Sequence, residues 1–191
     1  MMIADTGEVI LDRLETVILV LQKVEYAKLQ KMAKHIRTDS FQVFTVGNGG
    51  SSSTASHLAS DLQNIKIPAI CLSDNIPRLT ATTNDFGWND VYSPILSSLI
   101  VSAFPTVIFF SVHGGSGKVV DGEMWSSNLL NLAKTVKQQG GTVISFIGDT
   151  GGKLKTLSDY CIVVDHDHYS IVEGIHSVLA HLLVEEIARL E

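Results

Sequence analysis

The sequence predicts an α/β protein, a three-layer sandwich with helices on both faces of a five-stranded parallel sheet. Three observations carry this. Short apolar runs alternate with longer amphipathic stretches along most of the chain. Gly- and Ser-rich turns follow two of those runs and lead toward helical stretches. The 191 residues are enough for one such domain with a substantial core.

The elements follow in order. Residues 8–38 read as one long helix, with Ile10, Leu14, Val17, Ile18, Leu21, Val24 and Leu29 at three- and four-residue steps. Asp39-Ser40 ends it. Strands are expected at 42–46, 68–72, 106–111, 142–147 and 160–164. Helices are expected at 51–65, 90–101 and 126–139, with a short one at 153–157. A last helix spans about 168–190, and Leu179, Leu182, Leu183, Ile187 and Leu190 give it a broad apolar face. No linker, repeat or low-complexity stretch interrupts 1–191, so a single domain is expected. Its first part, 1–38, serves subunit association, and 39–191 forms the core. Both terminal helices are too apolar to stand alone in water and need a partner, within the subunit or across it.

Composition narrows the function. The formal charge of −6 and the lack of a Lys/Arg cluster argue against a nucleic-acid surface. No apolar run approaches the roughly 20 residues that span a bilayer. The N-terminal residues Met1-Met2-Ile3-Ala4-Asp5 carry no basic region, so no signal peptide is read there. Cys71 and Cys161 sit in strand-like apolar runs and are expected as free thiols, which fits a reducing cytoplasm.

The most informative motif is Gly47-Asn48-Gly49-Gly50-Ser51-Ser52-Ser53-Thr54, where a strand meets a helix. Glycines allow a tight turn and close approach of a ligand. A Ser or Thr cap and the free N–H groups of the helix start would attract an anion. No Gly-Lys-Ser/Thr follows, so this is not a P-loop. The third glycine and the acidic strand end of a dinucleotide fingerprint are also missing. Ser111-Val112-His113-Gly114-Gly115-Ser116 forms a second turn of the same kind, followed by Ser126-Ser127-Asn128 at a helix start. Ser126 or Ser127 is an expected N-cap. Two such turns can clamp one phosphate from two sides. His57 and Asp61 lie four residues apart on the first helix and share a face. By spacing alone they are a metal pair or an ordinary surface ion pair.

These residues resemble the phosphoheptose isomerases of the sugar-isomerase (SIS) domain superfamily. The resemblance starts with Gly47-Asn48-Gly49-Gly50-Ser51, His57 and Asp61. It continues through Thr83-Asn84-Asp85-Phe86-Gly87, Thr150-Gly151-Gly152-Lys153-Leu154, and Glu173-Gly174-Ile175-His176 as far as His181. It implies a flavodoxin-like, doubly wound sheet and a homotetramer with sites between subunits. The implied reaction is aldose–ketose interconversion of a sugar phosphate, sedoheptulose 7-phosphate by default. Asn48, Gly49, Ser51 and Ser52 would cradle the substrate. Asn84 and Asp85 would touch its hydroxyls. Ser111, His113, Ser116 and Ser126 would face the phosphate. The resemblance also implies zinc on His57, Asp61, Glu173 and His181.

The chain departs from the family at several places. The family carries Glu at the position of Asp61, Gln at that of Glu173 and Ser at that of His113. Ile65 stands where a basic residue is usual. The stretch 117–125 reads as an insertion beside the second turn, and its Glu123 and Trp125 could gate the site or pack against a neighbour.

The residues support that chemistry by themselves. Moving a carbonyl between C1 and C2 needs a carboxylate base and an acid that shuttles the oxygen-bound proton. Asp61 or Glu173 is the expected base and His181 its partner. Two imidazoles and two carboxylates suit zinc, and also manganese or iron. His181 could instead be a packed histidine, and His113 could contact phosphate or cap its turn. His176 reads as packing or a subunit contact, and His166 and His168 as a loop entering the last helix. The reading from another class is a non-catalytic SIS protein that senses sugar phosphates or associates with the replication initiator. Retention of His57, Asp61 and His181 favours the enzyme.

Overall fold

A computed structural model of the chain describes residues 6–101, 104–115, 119–120 and 123–190. Helices α1 (Thr6–Gln22) and α2 (Tyr26–Asp39) open it, followed by β1 (Val43–Gly47), α3 (Gly50–Asn64) and β2 (Ala69–Cys71). Next come α4 (Ile76–Phe86), a 3-10 turn (Trp88–Asp90), α5 (Tyr92–Leu99) and β3 (Thr106–Ser111). The two-residue strands β4 (Val119–Val120) and β5 (Glu123–Met124) pair antiparallel within the insertion. Then follow α6 (Ser127–Gln138), β6 (Thr142–Gly148), α7 (Gly152–Leu157), β7 (Tyr160–Val164) and α8 (Tyr169–Ala188).

The five longer or central strands form one parallel sheet in the order β2-β1-β3-β6-β7. This is the expected doubly wound topology. Alternate residues face opposite sides, and both sides are apolar. Val43, Ile108, Phe110, Ile144 and Phe146 pack under α2, α3 and α8. Phe44, Val46, Val107, Phe109, Val143 and Ile147 pack under α5 and α6. The strand order reverses between β1 and β3, and the crevice beyond their carboxyl ends is where such sheets bind ligands.

Three sequence expectations change. The helix expected over 8–38 is two helices, broken by a turn in which Lys23 N donates to the Val20 carbonyl at 3.1 Å and Val24 N to that of Leu21 at 3.1 Å. The break lets α2 bury Leu29, Met32, Ala33 and Ile36 against the sheet. Helix α1 leaves Ile10, Leu11, Leu14, Ile18 and Leu19 more than half exposed. Second, α4 was not expected as a helix. None of its residues is fully buried, and Ile76, Leu79 and Phe86 are its only large apolar side chains, too few to mark a core-facing stripe. Its caps were nonetheless readable: Asn75 accepts from Arg78 N at 3.0 Å, Pro77 lies in the first turn and Gly87 ends it. Third, α3 is capped by Gly49, with no side-chain bond, rather than by Ser or Thr. Gly49 adopts φ +59°, a conformation open to glycine, so the helix starts before the serines. No helix among the described residues is long and apolar enough to cross a membrane.

Candidate active site

The cradle lies at the switch point. β1 ends at Gly47 and the chain turns through Asn48 and Gly49 into α3. Ser52 N donates to the Gly49 carbonyl at 3.0 Å, so with no side chain on the cap the N–H groups of Gly50 and Ser51 are the ones open to a ligand, and the helix dipole favours an anion there. A Cβ on Gly50 would fall onto the carboxylate of Glu173, so Glu173 lies against this positive helix end. Thr45 Oγ1 donates to the Ala55 carbonyl at 2.7 Å and locks α3 onto β1.

Asn48 is held by a residue that the sequence did not single out. Its Nδ2 donates to Asn128 Oδ1 at 2.9 Å, and Asn128 Nδ2 donates back to Asn48 Oδ1 at 3.1 Å. Tyr92 Oη donates toward Asn48 Oδ1 at 3.2 Å and the Gly47 carbonyl at 3.3 Å. Burial pushes the Tyr92 hydroxyl's pKa up, so it stays a donor. Asn128 is 1% exposed. Asn128→Ala would leave the Asn48 amide without its partner, at an expected cost of about 2 kcal/mol. A thermal melt should then fall by roughly 4–8 °C.

The second turn closes the other side. Ser111 accepts from Gly114 N at 3.0 Å. Ser126 precedes α6 in the left-handed conformation, φ 60° and ψ 30°, and makes no side-chain cap bond. Asn48, Ser51, Ser111, His113, Ser126 and Glu173 line one cavity of about 110 Å³. The Thr150–Leu154 motif supports this turn from outside. Leu154 N donates to the Gly114 carbonyl at 2.9 Å, and a Cβ on Gly152 would strike the His113 and Gly114 carbonyls.

A cluster of His57, Asp61 and His181 lies farther along α3 and across to α8. Asp61 Oδ2 is 3.5 Å from His57 Nε2 and 3.4 Å from His181 Nδ1. The two imidazoles meet edge to face with centroids 5.0 Å apart. One ligand atom from each of the three residues falls within 4.8 Å of the others. Two nitrogens and a carboxylate oxygen converging in this way fit a divalent metal with an open position. His181 reaches the group because α8 packs along α3, pinned by the Thr54 Oγ1–Ser177 Oγ bond at 3.1 Å.

Other expected site residues lie elsewhere. Glu173 stands outside the three-residue group and lines both the cradle cavity and the open cleft beside His57. Gly49 and Ser52 line a further cleft between α3 and α4. Asn84 and Asp85 are exposed at the end of α4 and line none of these clefts. Ser116 lies outside the described residues. His168 caps α8, accepting from Ser170 N at 3.3 Å, and His166 Nδ1 accepts from His168 N at 2.9 Å, so both shape the loop. His176 is fully buried.

No protein-family model matches the chain. A lincomycin biosynthesis protein of Streptomyces lincolnensis is 36% identical over 148 residues, covering 72% of this chain. The match spans only 52% of that relative's length. A phosphoheptose isomerase of Rhodospirillum rubrum is 30% identical over 151 residues, covering 74% of this chain and 73% of its own. The chain belongs to the phosphoheptose isomerase family. The structure of a phosphoheptose isomerase from Francisella tularensis superposes with a TM-score of 0.82 at 22% identity, covering 96% of each chain, so the fold is shared from end to end. Where phosphoheptose isomerases are expected to carry Glu, Asp61 is one bond shorter and still lies near both imidazoles.

Proposed function

We propose that the protein interconverts a ketose phosphate and an aldose phosphate, with sedoheptulose 7-phosphate as substrate. One observation carries this. An anion cradle and an acid–base group share helix α3, with His57 seven residues, about 10 Å, beyond Gly50. An extended seven-carbon sugar phosphate bridges that span, its phosphate between the two Gly/Ser turns and its carbonyl end near Asp61 and His181. Glu173 lines both clefts and so borders the whole path.

Asp61 takes the proton from carbon. Both of its imidazole contacts use Oδ2, which leaves Oδ1 for the proton. His181 moves the oxygen-bound proton as the enediol forms and collapses. His57, Asp61 and His181 would hold zinc, with Glu173 as the fourth residue that the family resemblance implies. A bound zinc ion polarises a carbonyl and stabilises negative charge on its oxygen. Asn48, held by Asn128, and Ser51 orient the sugar. Ser111, His113 and Ser126 face the phosphate, and Gly49 and Ser52 border the cradle. Asn84 and Asp85 are assigned to substrate hydroxyls at a site shared with a second subunit. The apolar face of α1 supports a homo-oligomer, a tetramer on the family resemblance. The two free thiols fit a cytoplasmic location.

A binding protein that only senses sugar phosphates needs no converging His57, Asp61 and His181, so the enzyme reading is preferred. The test is turnover of sedoheptulose 7-phosphate by the purified protein with zinc added and with metal chelated. Zinc-dependent aldose formation is expected. Tight binding without turnover of this or any shorter or longer ketose phosphate would overturn the reading.

A further inference from the structure

The insertion beside the second turn brings an aromatic side chain to the cradle. The Trp125 ring lies against His113, with centroids 5.3 Å apart and planes tilted by 37°. His113 lines the cradle cavity, and Trp125, 36% exposed, stands behind it rather than in the lining. We propose that Trp125 is a positioning residue that fixes the His113 imidazole as the phosphate-side wall of the cavity, and that this pair sets affinity for the anionic end of the ligand. The inference deepens the isomerase reading and rests on it only for the identity of the sugar.

Three features support it. The residue after Trp125 is Ser126, a non-glycine residue in the left-handed region. That conformation is costly and persists only where surrounding structure holds it. It turns the chain from β5 into α6 and leaves Ser126 lining the cavity with Trp125 against His113. The His113 backbone is clamped from the other side, where the Gly152 turn leaves no room for a side chain. The backbone of His113 is thus fixed by the Gly152 turn and its ring by the indole. The third feature is electrostatic. Glu173 lines the same cavity, and its carboxylate repels a phosphate. An imidazole N–H directed into the cavity is a donor that a phosphate oxygen can accept from, and it reaches farther than the hydroxyl of the serine that the family carries at this position.

The test uses the intact chain and inorganic phosphate as the probe. Calorimetric titration compares wild type, Trp125→Ala, Trp125→Phe, His113→Ser and the His113→Ser/Trp125→Ala double variant. Trp125→Ala is expected to weaken phosphate about tenfold and Trp125→Phe about twofold, while Trp125→Ala adds nothing in the His113→Ser background. KM for the sugar phosphate should rise in parallel, with kcat changing by less than about twofold. An equal loss in both backgrounds would mean that Trp125 acts only on the fold, and would overturn the proposal. So would unchanged binding in Trp125→Ala, or a wild type that binds no phosphate. If Trp125→Ala does not fold, Trp125→Leu, which keeps apolar bulk without the ring, takes its place in the same cycle. Turnover assayed alongside separates the two readings: phosphate binding governed by the pair, without turnover of any ketose phosphate, supports the wall and overturns only the isomerase.

Discussion

Asp61→Asn is expected to slow turnover of sedoheptulose 7-phosphate by about 1,000-fold and to leave the melting temperature nearly unchanged. An amide cannot take a proton from carbon, and it is a poor metal ligand. Asp61 also sits between two imidazoles that are more than half exposed, at 62% and 55%, so its loss removes solvated contacts of little stabilising value. Zinc retained after dialysis should fall together with activity. Asp61→Glu, which restores the family's longer carboxylate, is expected to keep most activity. Glu173→Gln is the informative control. The family carries Gln at that position, so the variant should lose less than about tenfold. If Glu173→Gln were inactive and Asp61→Asn active, the proton would have to be assigned to Glu173. His181→Ala should also abolish turnover while the chain stays folded, as expected for a side chain that is 55% exposed on α8.

The second large effect concerns stability against pH. His176 is 0% exposed, packed against the stacked Phe110 and Phe146 at centroid distances of 5.8 and 6.4 Å. Neither ring nitrogen makes a hydrogen bond. Burial pushes its pKa down to about 3, and the nearby Ile147 backbone offsets this only in part. The unfolded chain binds the proton near pH 6.5. Between those values the unfolded state holds the extra proton, so stability is full above pH 6.5 and falls as pH drops toward 3. The expected loss is about 2 kcal/mol at pH 5, a fall in melting temperature of roughly 4–8 °C. His176→Phe keeps an aromatic ring among Phe110 and Phe146 and removes the titrating group. Its melting temperature should therefore change much less between pH 7.5 and pH 5 than that of the wild type. Equal acid sensitivity in the two proteins would place the effect on other groups.

The residues that the sequence marked and those that it hid differ in a consistent way. His57 and Asp61 were readable as a pair because four residues on a helix return to one face. Their third member, His181, is 120 positions beyond Asp61 and joins only because α8 lies along α3. Asn128 holds Asn48 across 80 positions, and its sequence neighbourhood, a helix start after serines, pointed to capping instead. Trp125 was visible as part of an insertion, but its contact with His113 was not. The break between α1 and α2 contains no proline or glycine, so a continuous apolar pattern hid it. The apolar residues on α1 read as needing a partner within the subunit or across it, and the fold of one subunit leaves Ile10, Leu11, Leu14, Ile18 and Leu19 at the surface.

What the sequence by itself determined is what local chemistry carries: the five strands, the helices with a buried face, the glycine turns and the doubly wound class. Each depends on periodicity or on a conformation that few residues adopt. What the tertiary structure decided is which distant side chains meet. The convergence of His57, Asp61 and His181, the Asn48–Asn128 pair, the isolation of the His176 ring and the placing of Glu173 against α3 all depend on how α3, α6 and α8 pack over the sheet. That packing follows from burial of apolar surface summed over whole elements, which no short motif records.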